Sequence, residues 1–193
     1  MTDVQTRDVI LVTGPWLAGS TSLAAALRQR LPDRTFVEAA VLSADEAPMA
    51  VIFVASAVAP LTASDCVLLD AAAANTDLVI GAVSKIDVYR NWRDVLAADA
   101  DAGSAHDPRY GDMIWAGVSA APQLGEPQLD ELVHALEQGL AQSQLARRNR
   151  LRVRQNCLRH AVRCHEDAGL GHEAQITAQR RERSDALRQR RLA

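Results

Sequence analysis

The sequence has few aromatic residues and no apolar stretch long enough to cross a membrane. Only 4% of its 193 residues are aromatic, whereas 48% are hydrophobic and 23% are charged. This balance excludes a chain disordered over most of its length and allows one compact core with an appendage. No apolar run approaches the roughly 20 residues of a bilayer span, and the start, MTDVQTRD, lacks the basic and apolar regions of a signal peptide. We therefore expect a cytoplasmic protein.

Cysteine and lysine are scarce as well. The three cysteines are an odd number in a chain without an export signal, which argues against a disulfide framework. Twenty of the 21 basic residues are arginine, and the one lysine is Lys85, in the tetrapeptide Ser84-Lys85-Ile86-Asp87. Either this placement is chance, or the position needs a flexible stem and a compact ammonium that arginine does not offer.

The charge is distributed unevenly along the chain. Residues 1–144 hold 8 basic and 19 acidic residues (net −11), and residues 145–193 hold 13 and 5 (net +8), which together give −3. A basic tail of this kind binds nucleic acid, an anionic lipid surface or an acidic surface of a sister subunit. The tail carries leucines rather than aromatics between its arginines, which disfavours nucleic acid and favours a protein partner or an anionic membrane.

Short apolar runs typical of buried strands alternate with helical patterns. The spacing predicts helices over 21–31 and 88–98, a third helix beginning at the capping-box pair Thr62 and Asp65, and a polar loop over 100–112. Strands are predicted over 8–13, 35–42, 50–55, 77–83 and 113–118. This order of elements predicts an α/β fold with a mainly parallel sheet.

The pattern changes after Pro122 and Pro127. From Leu129 onward apolar residues recur at helical spacing, and the pattern runs without interruption until Gly169. We therefore predict two parts, an α/β domain over 1–127 and an arginine-rich helical extension over 128–193.

The first candidate site lies where the first predicted strand meets the first helix. Gly14 and Gly19 are five residues apart, as in a phosphate-binding loop, whose backbone N–H groups surround phosphate oxygens. Thr21 occupies the position that holds magnesium, but Ser20 stands where the motif has its lysine. Losing that charge-assisted contact costs about 1.5 to 3 kcal/mol, unless Arg28, Arg34 or a partner's arginine replaces it. The competing interpretation is an ordinary glycine-containing turn.

Two further motifs follow later strands at their carboxyl ends, where open α/β sheets bind ligands. Ser84-Lys85-Ile86-Asp87 resembles the guanine-specificity motif of P-loop GTPases, and Ser119-Ala120 resembles the element after the last strand of that family. The resemblance implies that Asp87 accepts hydrogen bonds from the guanine N1–H and amino groups while the stem of Lys85 lies against the base. It also implies that Ser119 and Ala120 contact the guanine edge through backbone N–H groups.

Taken in order, these motifs give a specific resemblance. The chain is similar to the GTPase domain of bacterial dynamin-like proteins, strongly over 50–122 and weakly before that. The resemblance implies a G-domain-like P-loop fold, GTP or GDP with Mg²⁺ held by Thr21, and a partner that is a second copy or a complete dynamin-like GTPase. The implied nucleotide-binding set is Gly14, Gly19, Ser20, Thr21, Ser22, Ser84, Lys85, Asp87, Ser119 and Ala120.

The departures from that family concern hydrolysis. Only 18 residues separate Leu31 from Ala50, and this interval holds no Asp-x-x-Gly element. Trp16 lies inside the loop, where its ring would crowd or cover the phosphates. With no nucleophile, base and orienting group in evidence, we expect no catalytic residue, weak guanine-nucleotide binding with little or no hydrolysis, and a regulatory or assembly role. The alternatives are a kinase or ATPase relic that binds adenine nucleotide, and a nucleotide-free scaffold that acts through its arginine-rich helices.

Overall fold

A computed structural model describes residues 5–38 and 46–162. In chain order its elements are β1 (Gln5–Thr13), α1 (Ser20–Arg30), β2 (Phe36–Glu38), β3 (Glu46–Ser56), α2 (Ala63–Ala73), β4 (Val79–Ser84), α3 (Trp92–His106), a 3₁₀ turn (Pro108–Tyr110), β5 (Ile114–Val118) and α4 (Asp130–Leu140). Residues 145–153 form a further helix, α5.

The five strands form a single sheet in the order β2-β1-β3-β4-β5. Every strand pair is parallel, which confirms the expected α/β class and parallel sheet. Parallel strands of this kind are buried on both faces, and for that reason their sequences are continuously apolar rather than alternating. β4 is buried along its whole length.

Helices cover both faces of the sheet. On one face α1 and α4 contribute the fully buried Leu23, Leu27, Leu132 and Leu136 to a core shared with β1, β3 and β4. On the other face α2 packs through Leu69 against Phe53, and α3 packs through Val95. Among the described helices, none is long and apolar enough to span a membrane.

The start of α2 confirms the predicted capping box. Thr62 Oγ1 accepts a hydrogen bond from the Asp65 N–H, and Asp65 Oδ2 accepts one from the Thr62 N–H at 2.8 Å. Each side chain satisfies a backbone donor that the first helical turn leaves free, so the helix begins where the sequence places it.

Several predicted boundaries differ from the structure: β1 begins at Gln5 rather than at 8, and β3 spans Glu46–Ser56 rather than 50–55. The polar loop over 100–112 is wrong, since α3 continues to His106 and a 3₁₀ turn follows it. Within this helix Asp99 is buried and its Oδ1 accepts the Leu61 N–H at 2.7 Å, and at its end His106 pairs with Asp70 of α2 at 2.7 Å. The predicted strand over 35–42 is described only to Glu38, and residues 39–42 lie outside the described residues.

The predicted uninterrupted helical pattern after Leu129 is also divided. α4 ends at Leu140, and the next helix begins at the buried Leu145, whose N–H donates to Gln142 O at 3.0 Å. The chain separates into two compact units, Met1–Val153 and Arg154–Ala193. In the second unit residues 154–162 are helical, and residues 163–193 of the predicted extension lie outside the described residues. The division into 1–127 and 128–193 stays a prediction.

α5 is attached at the amino edge of the sheet by a completely buried asparagine. Asn149 Oδ1 accepts the Asp77 N–H at 2.8 Å, and Asn149 Nδ2 donates to Met49 O at 2.9 Å. Arg148 and Arg152 each form an ion pair with the Asp77 carboxylate at 3.2 Å. The first turns of the predicted basic tail are therefore part of the folded body.

Candidate functional site

The strand order places a switch point at the carboxyl edge of the sheet, between β1 and β3. From β1 the chain passes to β2 on one side, whereas β3, β4 and β5 follow on the other side. Loops that leave neighbouring strands in opposite directions open a ligand-binding crevice between them, and in this sheet the crevice lies beyond β1 and β3. All ten predicted site residues lie at the end of β4, in the segments that follow β1, β4 and β5, or in the first turn of α1.

Both glycines of the first loop are required by its geometry. A Cβ atom at Gly14 would lie 2.0 Å from Val54 O, so no side chain fits where the loop leaves β1. Gly19 has φ +94° and caps α1, a left-handed conformation that glycine adopts without steric cost. The loop therefore follows a path that other residues would obstruct.

The first turn of α1 presents free backbone donors to this loop. Within the part of the chain that the structure describes, no protein acceptor bonds the N–H groups of Ser20, Thr21 or Ser22, whereas the next N–H, of Leu23, donates to Gly19 O at 3.0 Å. Unpaired N–H groups and the positive end of the helix dipole together attract an anion. The arrangement can accept a phosphate or carboxylate, but it contributes no full positive charge.

The residues that end β4 fasten the loop. Ser84 Oγ donates to Ala18 O, and Lys85 Nζ donates to Leu17 O at 2.7 Å. The single lysine of the chain therefore bonds the predicted phosphate loop, and this contact was not expected from the sequence. Arg28 does not replace the missing loop lysine, because its guanidinium donates to Phe36 O on β2 at 2.9 Å.

The Trp16 side chain lies in solvent. Its exposed fraction is 89%, so the ring neither crowds nor covers the loop in this conformation. The loop stays open to a ligand from the carboxyl edge of the sheet.

Thr21 has an acidic neighbour that the sequence analysis missed. Its Oγ1 donates to Glu38 Oε2 at 2.8 Å, and Glu38 is the last residue of β2. The available signal was an acidic residue within the otherwise apolar strand predicted over 35–42, although no Asp-x-x-Gly pattern accompanies it. In the structure β2 ends at Glu38, which places the carboxylate at the edge of the sheet where ligands bind. A hydroxyl and a carboxylate are hard oxygen donors, and Mg²⁺ usually takes only one or two protein ligands besides water and phosphate. The pair therefore fits magnesium chemistry.

Asp87 is oriented by the segment that follows β5. Ser119 Oγ donates to Asp87 Oδ1 at 2.8 Å, and Ser119 itself is buried. Ser119 also exchanges two backbone hydrogen bonds with Gln128, at 3.0 and 2.8 Å. The N–H of Ser119 is thus occupied by Gln128 O, which leaves the N–H of Ala120 as the backbone donor of the Ser-Ala pair.

A buried carboxyl lies behind the loop that follows β3. Burial raises the pKa of Asp99 to about 6, although the hydrogen bond from the Leu61 N–H acts in the opposite direction. Among the residues that the structure describes, none forms a hydrogen bond with Asp99 Oδ2. Ionisation of Asp99 therefore has a cost in the folded protein, and the pH dependence of stability should show it.

Comparisons with known proteins assign no family to the chain. No protein-family model matches the sequence, and the search of curated proteins returned no match.

Proposed function

We propose that this protein is a degenerate, truncated GTPase-like protein that resembles the bacterial dynamin-like class and binds guanine nucleotide weakly. The proposal rests chiefly on one observation: Ser119 holds the Asp87 carboxylate, while Lys85, two residues before Asp87, bonds the loop at Leu17. The predicted base-recognition element and the predicted phosphate loop are thereby joined at one edge of the sheet.

The chemistry of Asp87 favours guanine over adenine. Its Oδ1 accepts from Ser119, which leaves Oδ2 and the remaining lone pairs of the exposed carboxylate for two donors on a ligand. Guanine offers N1–H and an amino group on one edge, whereas adenine has an acceptor at N1. An adenine base would therefore place a lone pair against a carboxylate, which is repulsive.

The phosphate loop accounts for the weakness of binding. Ser20 carries no charge, and the ammonium of Lys85 is engaged by the Leu17 carbonyl. The nucleotide phosphates would meet the free N–H groups of the first α1 turn, without the full charge that a loop lysine supplies. We expect affinities in the micromolar to millimolar range, about 10- to 100-fold below those of a site with that lysine.

Thr21 and Glu38 would hold Mg²⁺, whose charge would offset that of the phosphates. Because the sequence lacks an Asp-x-x-Gly element, we infer little or no hydrolysis and a regulatory or assembly role beside a second copy or a complete GTPase. The basic tail and acidic body, +8 and −11, support such a role in assembly.

Isothermal titration of the full chain with GDP, GTP and ATP, with and without Mg²⁺, tests this function. We expect both guanine nucleotides to bind and ATP to bind at least about tenfold more weakly. Equal affinity for ATP would favour the adenine-binding alternative. If none of the three nucleotides binds, the scaffold alternative replaces the proposal.

A further inference from the structure

The outer face of α2 is apolar although nothing in the described chain covers it. The inner side of this helix packs through Cys66, Leu69 and Ala73, which are buried. On its outer side Val67 and Leu68 are 61% and 49% exposed. Val67 and Leu68 are neighbours, so their exposed side chains form one apolar patch, and such patches mark contact surfaces.

The surroundings of this face are acidic. α2 contains Asp65 and Asp70 and no basic residue, although Asp70 pairs with His106 of the adjacent α3 at 2.7 Å. α3 also carries the exposed Asp94 and Asp101 and one arginine, whereas the third aspartate of that helix is buried. That arginine, Arg93, stacks on the Trp92 ring at 4.3 Å from its centroid. Two α2 helices from different copies would bring like charges together, which disfavours a contact of α2 with itself. The face instead suits a basic helix that carries apolar residues.

Ion pairs between arginines and the acidic body are already present within one chain. Arg148 and Arg152 of α5 both pair with Asp77, four residues after the end of α2. Arginines of the carboxyl-terminal region therefore complement the acidic body in at least one place.

The sequence outside the described residues offers a second basic segment. Residues 174–193 hold six arginines and two acidic residues, and they include the apolar residues Ile176, Leu187 and Leu192. We propose that the outer face of α2 is a docking surface for residues 174–193 of a second copy of this chain. Since each copy carries both the acidic face and the basic segment, two copies can make the contact twice in a closed dimer. The proposal does not depend on nucleotide binding.

Sedimentation equilibrium of the full chain and its variants measures the dimer dissociation constant, which reports on this contact. The α2 variant is Val67→Gln with Leu68→Gln, which keeps good helix formers on an exposed face. Its control is Val58→Gln with Val88→Gln, because those valines are comparably exposed at 56% and 59%. The tail variant is Arg188→Gln, Arg190→Gln and Arg191→Gln. Circular dichroism checks that each variant is folded.

We expect the unaltered chain to dimerise and higher salt to weaken the dimer, since exposed charge pairs are screened over roughly 8 Å at physiological ionic strength. The α2 variant and the tail variant should each raise the dimer dissociation constant by about tenfold or more, and the control should not change it. A mixture of the two variants should form a heterodimer, because the intact tail of one meets the intact α2 of the other.

Three results would overturn the proposal. The first is a full chain that stays monomeric at low salt, as it would if the tail bound its own chain. The second is a dimer that the α2 variant weakens no more than the control does. The third is a mixture of the two variants that forms no heterodimer, which would mean that α2 and the tail do not contact each other across copies.

Discussion

Lys85 Nζ lies 2.7 Å from Leu17 O, and the two residues share the same rare backbone conformation, with φ +64° at each. Over residues 5–38 and 46–162 they are the two non-glycine residues with positive φ. A left-handed conformation costs such residues about 1 to 2 kcal/mol each. The ammonium–carbonyl bond, with the Ser84–Ala18 bond beside it, holds the loop against that preference. This contact gives the single lysine of the chain a role that its position beside Asp87 did not reveal.

Replacing Lys85 tests whether it fastens the loop. Lys85→Met keeps the aliphatic stem and removes a charge-assisted hydrogen bond of about 1.5 to 3 kcal/mol. We expect faster amide hydrogen exchange over residues 16–19 and GDP affinity reduced by about 10- to 100-fold. Arg90→Met, in the same exposed loop, is the control and should change neither. Unchanged exchange in Lys85→Met would show that the loop is held by other contacts.

Under the proposed function, base specificity should depend on Asp87 and on the Ser119 hydroxyl that orients it. Asp87→Ala should weaken GDP binding by about 1 to 3 kcal/mol, because two donors on the base lose their acceptor. Ser119→Ala should weaken it less, since the carboxylate remains but loses the hydrogen bond at Oδ1. Titration calorimetry measures both, with Asp112→Ala as an exposed control. Undiminished GDP affinity in Asp87→Ala would remove the basis for the guanine assignment.

Hydrolysis should be slow. We expect the purified chain to turn over GTP no faster than on the order of 10⁻⁴ to 10⁻³ per second, the intrinsic rate of small GTPases without an activator. A single-turnover assay measures the rate, and turnover near one per second would contradict the inferred loss of hydrolysis.

A lysine placed in the loop should strengthen binding of the triphosphate. Ser20→Lys should raise GTP affinity by about 10- to 100-fold by restoring a point charge at the loop. Ala25→Lys adds the same charge farther along α1 and should have little effect on GTP affinity.

The buried carboxyl of Asp99 should give the protein an unusual pH dependence. Its folded pKa of about 6 lies above the ordinary value of 3.8, so the folded state binds the proton more tightly than the unfolded state. Its contribution to stability is therefore complete below about pH 4 and is lost as the pH rises to about 6, a change of about 3 kcal/mol. Asp99→Asn does not titrate, so the difference in unfolding free energy between wild type and variant should change by that amount between pH 4 and pH 7. Urea denaturation at the two pH values measures this difference, and a difference that stays constant between them would contradict the raised pKa of Asp99.

The attachment of α5 determines where the tail can be removed. Asn149→Ala leaves the Asp77 N–H and the Met49 carbonyl without their partners and should lower the unfolding free energy by about 2 to 4 kcal/mol. Arg150→Ala, exposed on the same helix, should have little effect. A chain that ends at Val153 should keep the wild-type unfolding midpoint, whereas one that ends at Gln144 should lose stability because it lacks Asn149. Equal midpoints for the two truncated chains would show that α5 contributes nothing to the fold.

Much of the fold could be predicted because its causes are local. Continuous β-branched apolar runs predicted the strands, since each run has to be buried on both faces. The capping box at Thr62 and Asp65 fixed the start of α2, because both partners lie within one helical turn. Glycine at positions 14 and 19 likewise indicated a constrained loop between a strand and a helix, and the structure shows the reason in the approach of Val54 O and the left-handed φ.

Other features follow from contacts between residues distant in the sequence. Thr21 meets Glu38 across 17 positions, Lys85 meets Leu17 across 68, and Asn149 meets Met49 across 100. No local pattern marks such pairs, because each joins an ordinary polar side chain to a side-chain or backbone oxygen that lies far away in the sequence. The extent of α3 and the break before α5 were mispredicted as well, and both regions carry contacts distant in the sequence: Asp99 accepts the Leu61 N–H and His106 pairs with Asp70, and Leu145 is buried. The sequence alone determined which segments had to be buried, since apolar surface avoids water wherever it lies. Only the tertiary structure decided which polar groups meet, because a hydrogen bond requires two atoms within about 3 Å and the strand order determines which atoms come that close.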